Sequence, residues 1–360
     1  MEESIFRSEL MEWYQTSQRS LPWREAPNAY SCWLSEIILQ QTRVAQGAPY
    51  YARFLETYPT VQDLADAPEE EVMRLWQGLG YYSRARNLHK CAKTVSHEMN
   101  NTFPSTYAGL QKLPGIGKYT AAAIASIVFN EAVPAVDGNM YRVFARYFGI
   151  QTDIASPKAF KEFFELGATI IDSGKPGDFN QAVMDLGATV CTPKKPLCDT
   201  CPLASGCHAL AKGSQGDLPV KKKKIKVRER HLNYIVIRNG DKTFMRKREA
   251  GDVWQDLYDF HLIETEKPTD FDLLTDTVLE SLIKTGASLA DSSPTFKHVL
   301  SHQRLFARFY IIEAQGSGLD EILQNTGLKA YTDQEIESLA KPILIENYLK
   351  KYLDGRLLLA

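Results

Sequence analysis

The chain has 360 residues, 44% hydrophobic and 24% charged, with 42 lysines and arginines against 44 aspartates and glutamates. This is more chain than one hydrophobic core usually holds, so two or three domains are expected and a small stapled scaffold is excluded. No stretch reaches the roughly 18 apolar residues of a membrane span, and the acidic start Glu2-Glu3 is unlike a basic targeting leader, which predicts a cytoplasmic protein.

From Ile5 to about His208 apolar residues recur at intervals of three and four, as in Phe6, Leu10, Trp13, Tyr14 and again Leu64, Val72, Leu75, Trp76. Turn signals at Pro59, Pro68, Gly78, Gly80, Pro104, Gly115, Gly117, Pro134, Pro157 and Pro176 cut this pattern into windows of roughly 10 to 18 residues. The spacing predicts a mainly α domain of some ten helices over residues 1–212.

The first element to carry chemistry runs from Cys32 to Thr42 and holds Glu36 among apolar neighbours. Burial disfavours the charged carboxylate and raises its pKa, which suits a general acid. The plainer reading is a glutamate on a solvated stripe with Ser35 and Gln40.

Leu113-Pro114-Gly115-Ile116-Gly117-Lys118-Tyr119-Thr120 then opens an alanine-rich helix. Two glycines one residue apart permit positive φ and close backbone approach, and the helix start behind them aims N–H groups at an anion. A dinucleotide fingerprint fails because Thr120 stands where a third glycine belongs and no strand precedes it, so a helix–hairpin–helix phosphate clamp remains. Asp137 stands at the next helix start, before Gly138-Asn139-Met140. It is either a plain N-cap or a carboxylate kept ionised by N–H donors and the helix dipole, a tuning opposite to that of Glu36. One acid and one anion are what cleavage of a glycosidic bond through an oxocarbenium-like transition state requires.

Four of the six cysteines, Cys191, Cys198, Cys201 and Cys207, lie within seventeen residues, whereas Cys32 and Cys91 sit inside helical patterns as small buried apolar residues. Only one close pair is present, which fits a [4Fe–4S] cluster better than zinc. Lys194 and Lys195 in the same loop offer cations to phosphate. Residues 213–230 form a linker in which the stretch 212–230 carries 8 basic and 2 acidic side chains, a solvated tether or a further phosphate contact. Beyond it the period shifts to two or to short apolar runs, Asn233–Ile237 and Ala307–Ile312, around a helical window at Leu273–Thr285. Residues 231–360 therefore form a separate α+β domain.

Taken together, Leu21-Pro22-Trp23-Arg24, Trp33-Leu34-Ser35-Glu36, Leu39-Gln40-Gln41-Thr42, Gly78-Leu79-Gly80-Tyr81-Tyr82-Ser83-Arg84, the hairpin, Val136-Asp137-Gly138-Asn139 and the four cysteines resemble the MutY family of adenine DNA glycosylases, of the helix–hairpin–helix superfamily. The resemblance spans essentially the whole chain. It implies a six-helix subdomain over about 27–132, a cluster subdomain from 1–26 and 133–212, and a Nudix-like C-terminal domain. It further implies a monomeric, monofunctional enzyme that flips out and removes adenine opposite 8-oxoguanine, and more weakly opposite guanine, in double-stranded DNA. Glu36 would protonate the leaving base and Asp137 stabilise the sugar cation, with Tyr119 and Asn139 helping. Gln41, Thr42, Leu79 and Tyr81 would fill or wedge the stack, and Arg24, Gly115, Gly117, Lys118, Lys194 and Lys195 would contact DNA. Ser301 and His302 would read the lesion.

Two departures bear on this. Leu300 stands where the family has an aromatic residue in the recognition loop, and residues 251–280 lack a glutamate-rich pyrophosphatase box, so the domain should bind without hydrolysing. A pyrimidine glycosylase of the endonuclease III type would place a lysine at position 119, and Tyr119 cannot form an imine. A non-catalytic iron–sulfur DNA-binding protein would lack an acid at 36 or 137.

Overall fold

The computed structural model describes residues 2–222, 227–249, 251, 253–300, 302–314, 319–324 and 326–352. The chain forms two compact units, one from Met1–Asp66 with Asn87–Lys223 and one from Ala67–Arg86 with Lys224–Ala360. The sequence boundaries place Ala67–Arg86 in the helical domain; the structure groups it with the C-terminal residues.

Twelve α-helices precede the linker among the described residues: α1 (Glu2–Ser17), α2 (Ala29–Leu39), α3 (Val44–Thr57), α4 (Val61–Asp66), α5 (Glu69–Leu75), α6 (Tyr82–Lys93), α7 (Tyr107–Leu110), α8 (Lys118–Phe129), α9 (Gly138–Phe148), α10 (Pro157–Ile170), α11 (Pro176–Thr189) and α12 (His208–Lys212). In the first unit α2 starts from a reciprocal cap, in which Asn28 accepts from Ser31 N at 2.9 Å and Ser31 Oγ accepts from Asn28 N at 3.0 Å. It then buries Tyr30–Ser35, Ile37 and Ile38, leaving Glu36 half-buried. Helix α8 buries the small residues Ala121, Ala122, Ala123 and Ala125 together with Ile124, and α11 crosses it closely. A Cβ on Gly177 would meet Ile127 Cα at 2.8 Å and Ser126 O at 2.9 Å, both backbone atoms that cannot swing away. Helices α1, α9, α10 and α11 share a core of Phe6, Leu10, Tyr14, Phe144, Phe163 and Phe179. Large aromatic side chains of this kind contribute most of the burial free energy of such a core.

The second unit is built on an eight-stranded sheet: β1 (Arg228–Asn239), β2 (Lys242–Lys247), β3 (Tyr258–Asp259), β4 (His261–Thr265), β5 (Ser288–Ser292), β6 (Phe296–Val299), β7 (Gln303–Glu313) and β8 (Lys329–Thr332). The order is β3-β2-β1-β7-β5, with β4 on β1, β6 on β7 and β8 on β2. Strands β1 and β7 are parallel, Arg228 opposite Gln303 through Arg238 opposite Glu313, and the other pairs are antiparallel. Helices α13 (Thr277–Lys284), α14 (Leu319–Leu323), α15 (Asp333–Ser338) and α16 (Ile343–Tyr352) complete it. One core joins Ile235, Ile237, Tyr310 and Ile312 to Leu279, Leu282 and Leu323, while Tyr348 of α16 stacks on Phe309 at 3.9 Å. Strand β1 begins at Arg228, inside the stretch expected to be linker, because its parallel pairing with β7 extends order past the hydrophobic run.

The segment Ala67–Arg86 is held to this unit by polar contacts. Lys341 N donates to Gln77 Oε1 at 3.1 Å, the Tyr82 hydroxyl donates to Lys341 O at 3.4 Å, and Arg86 donates to Gln255 O at 2.8 Å. These partners lie 169 to 264 residues apart in sequence, beyond the reach of local pattern.

Candidate active site and iron–sulfur loop

In the helical unit a cleft of about 1000 Å³ is lined by Glu36, Gln40, Gln41 and Thr42 from the end of α2, Gly115, Gly117, Lys118 and Tyr119 from the hairpin, and Asp137 and Asn139 from the start of α9. Residues from three separated stretches thus meet in one space. Gly115 has φ +74°, and a Cβ there would meet the Asn87 side chain at 2.7 Å. At Gly117, by contrast, the space in front of the α8 start is open. The hairpin therefore presents bare backbone beside the exposed Lys118, as an anion clamp requires.

Burial pushes the Glu36 carboxyl up to about 7; Tyr119 and Arg24 pull it down and Asp137 pushes it further up, and burial dominates. Burial is the cause that the apolar neighbours of Glu36 in the sequence lead one to expect. The Tyr119 hydroxyl donates to Met184 Sδ at 3.2 Å, and burial together with the two carboxylates holds it well above its usual pKa, so it stays protonated.

Asp137 caps α9, accepting from Asn139 N at 2.9 Å, Met140 N at 2.7 Å and Asn139 Nδ2 at 2.6 Å. The expected opposite tuning is corrected in one respect. Burial raises the Asp137 carboxyl, and its donors together with Arg142 only partly offset this, so both carboxyls shift upward. The donors act as expected, but desolvation outweighs them.

Arg142 ties this corner together. Its Nη2 donates to Asn139 Oδ1 and Gly187 O, each at 2.7 Å, and its Nε donates to Cys191 O at 2.6 Å. Asn180, buried on α11, accepts from Ala135 N at 3.0 Å and donates to Val133 O at 2.9 Å, which fixes the strap leading into Asp137.

Arg24, one of the expected DNA contacts, lines the cleft and is engaged within the protein. Its guanidinium makes a bidentate pair with Asp185 at 2.8 and 2.9 Å, and Arg19 adds a second pair at 2.7 Å. The Asp185 side chain is fully buried; burial alone would raise its pKa, and the two arginines hold it below the usual range. Arg24 thus secures α11 to the chain before α2 and adds positive potential near Glu36. Arg19, Gln181, Met184, Asp185 and Arg142 were not singled out from the sequence, since each acquires its setting from partners distant along the chain.

Gln41 and Thr42 lie at the cleft, and exposed Gln41 has φ +56°, a strained conformation for a side-chain-bearing residue, as is common at functional turns. Leu79 and Tyr81 belong to the other unit. Leu79 is 6% exposed, packed rather than free to wedge, whereas Tyr81 is 49% exposed at φ +48°. They line a pocket of about 650 Å³ with Trp254, Val299, Leu300 and His302. His302 is exposed in the turn between β6 and β7, and Ser301 lies outside the described residues. Lys194 and Lys195 are exposed in the cysteine loop.

Cys191, Cys198, Cys201 and Cys207 line one small cavity with Arg146 and Gln215. Arg146, 3% exposed, donates to Cys191 Sγ at 3.3 Å and to Thr192 O at 2.8 Å, and Gln215 donates to Cys198 Sγ at 3.9 Å. Four sulfurs around a shared space, two of them receiving N–H donors, fit a thiolate-ligated cluster, whose charge such donors stabilise.

Comparison with known proteins agrees with this division. Residues 34–168 match the HhH-GPD superfamily of base excision DNA repair proteins, residues 191–207 the iron–sulfur binding domain of endonuclease III, and residues 233–351 the NUDIX domain. The four-cysteine loop is thus an iron–sulfur site, with [4Fe–4S] as the cluster that its spacing fits. The structure of a thermostable thymine-DNA glycosylase aligns with a TM-score of 0.55 and 30% identity, over 59% of this chain and 97% of that one. An adenine DNA glycosylase of Rattus norvegicus is 47% identical over 224 residues, 60% of this chain, and the chain spans only 43% of that relative's length. One of Buchnera aphidicola subsp. Baizongia pistaciae is 34% identical over 306 residues, 84% of each chain. The chain belongs to the adenine DNA glycosylase family.

Proposed function

We propose that the cleft removes adenine from double-stranded DNA by hydrolysing its N-glycosidic bond, and that the preferred opposite base is 8-oxoguanine. The observation that carries this reading is the meeting of Glu36 and Asp137 in one cleft behind a phosphate-clamping hairpin. Adenine leaves as an anion unless protonated, and Glu36, with a pKa near 7, holds a proton to give at neutral pH. As the glycosidic bond breaks, its electron pair goes to the base, and Asp137, positioned by Asn139 and the α9 N–H groups, stabilises the cation left on the sugar. Water then adds to the sugar. The target base must leave the helix to reach these groups, at a cost of a few kcal/mol that a mispair reduces.

Tyr119 supports a monofunctional enzyme, because a phenol cannot form the Schiff base through which a lysine would cut the strand. When bound, the cluster supplies a cross-link that fixes the Lys194–Lys195 loop. Exposed His302 beside Tyr81 supports reading of the opposite base, since 8-oxoguanine differs from guanine by an N7 donor and an O8 acceptor. We further read the protein as a monomer and, from its DNA substrate and iron–sulfur loop, as cytoplasmic and nucleoid-associated.

The test is excision from duplexes carrying A opposite 8-oxoguanine, A opposite G, and thymine glycol, each with and without hot alkali. Release of adenine with breaks only after alkali is expected. Release of thymine glycol, or strand cleavage without alkali, would overturn the assignment.

A further inference from the structure

Strand β7 alternates cleanly near its start. Leu305, Ala307 and Phe309 are buried, while Arg304, Phe306 and Arg308 occupy the opposite face, exposed or half-buried. Across the sheet Arg304 stands opposite Val299 and Glu229, and Phe306 opposite Lys297 and His231. The His231 ring stacks on Phe306 at 5.2 Å and 15°, Lys297 Nζ lies 5.9 Å from the Phe306 centroid, and the Arg308 guanidinium lies 5.3 Å from that of Tyr310. Three cations therefore share one sheet face, two of them held over aromatic rings. The surrounding segment 231–360 is acidic overall, with 15 basic and 20 acidic side chains, so their gathering on one face is not a matter of composition.

Their carboxylate partners are weak competitors. Arg304 meets Glu229 at 3.5 Å with both side chains about half exposed, and Arg308 meets Asp270 at 3.3 Å with the aspartate 86% exposed. Exposed pairs of this kind contribute little to stability and exchange readily for a phosphate. Base stacking is disfavoured here because His231 already covers a face of Phe306; the rings orient cations and leave little free platform.

We infer that Lys297, Arg304 and Arg308 form a phosphate track for the backbone of the DNA strand whose base is read at the turn around Leu300–His302. That turn joins β6 to β7; Arg304 lies nearest it, Lys297 stands opposite Phe306 two residues further from the turn, and Arg308 follows about 13 Å beyond Arg304 along the strand. A backbone running away from a base at the tip passes over the three cations in order. The inference rests on the proposed reading that this turn faces the opposite base.

The full-length protein with Lys297→Ala, Arg304→Ala and Arg308→Ala combined should bind lesion and undamaged duplexes about tenfold or more weaker, by the same factor for both. The slope of log affinity against log salt, measured between about 50 and 200 mM, should fall by about two to three. A Lys242→Ala/Lys329→Ala variant, which removes exposed cations from β2 and β8, should change neither. Affinity within twofold of wild type with an unchanged slope would overturn the track, as would an equal loss in the β2–β8 variant. If His302→Ala leaves the preference for 8-oxoguanine intact while the triple variant still lowers the salt slope, the base-reading assignment fails and the backbone contact stands.

Discussion

The cleft around Glu36 and the turn around His302 show two ways of building a site. In the cleft the reactive groups are half-buried, capped and cross-braced: Asp137 accepts three hydrogen bonds, Arg142 braces Asn139, and Arg24 is locked to Asp185. At the turn His302 is exposed, and Val299 at the end of β6 and Tyr81, which lines the same pocket, are exposed too. Chemistry on a glycosidic bond needs charges held in low dielectric at no cost of reorganisation, whereas reading a base needs reachable edges that water can leave. The two sites should therefore fail differently when altered.

The largest contrast is in rate. Glu36→Gln and Asp137→Asn should each lower single-turnover adenine release by at least about 10²-fold while lesion-duplex affinity stays within a few-fold. Excision within tenfold of wild type for either variant would remove that residue from the chemistry. Cys198→Ser should lower iron content and the yield of folded protein, since a metal cross-link contributes directly to stability. Metal analysis and absorbance of the purified variant check this, and a full complement of iron would contradict it.

The cleft should also be a stability liability. Because the folded pKa of Glu36 is raised from 4.5 to about 7, the native state binds the extra proton between those values, and stability falls as pH rises through that window. Above pH 7 the ionised carboxylate costs on the order of 3 kcal/mol. Glu36→Gln should therefore be more stable than wild type at pH 8, with the difference closing near pH 4.5, as urea midpoints at the two pH values would show.

Smaller effects are expected outside the cleft. His302→Ala should reduce the preference for A opposite 8-oxoguanine over A opposite G by about tenfold, the scale of one lost polar contact, without changing the saturated single-turnover rate. An unchanged ratio would separate the turn from lesion reading. Lys118 sits 4.2 Å from the Phe160 centroid, so Phe160→Leu should loosen that cation and weaken duplex binding by about two- to fivefold, whereas Phe160→Tyr should not. Equal losses in both variants would mean a packing defect.

Much of the site was legible locally. Cysteine spacing, the Gly-x-Gly hairpin, the N-cap at Asp137 and the apolar surroundings of Glu36 all depend on residues within a few positions of one another, which is the range over which backbone propensity, capping and helix periodicity act. The change of period after the linker likewise separated the α domain from the α+β domain.

Tertiary structure decided what depends on distant partners. Arg24 reads as a free cation beside Pro22-Trp23 until Asp185, 161 residues away, occupies its guanidinium. Whether Asp137 shifts up or down depended on how deeply the cleft buries it against the donors it receives, a balance no local pattern contains. Leu79 and Tyr81, two residues apart, divide into a packed side chain and an exposed one because Ala67–Arg86 folds onto the C-terminal unit. Sequence specified which groups were available and which backbone turns would present them; burial and long-range pairing set their protonation, exposure and freedom, because desolvation and ion pairing depend on everything packed around a group rather than on its neighbours in the chain.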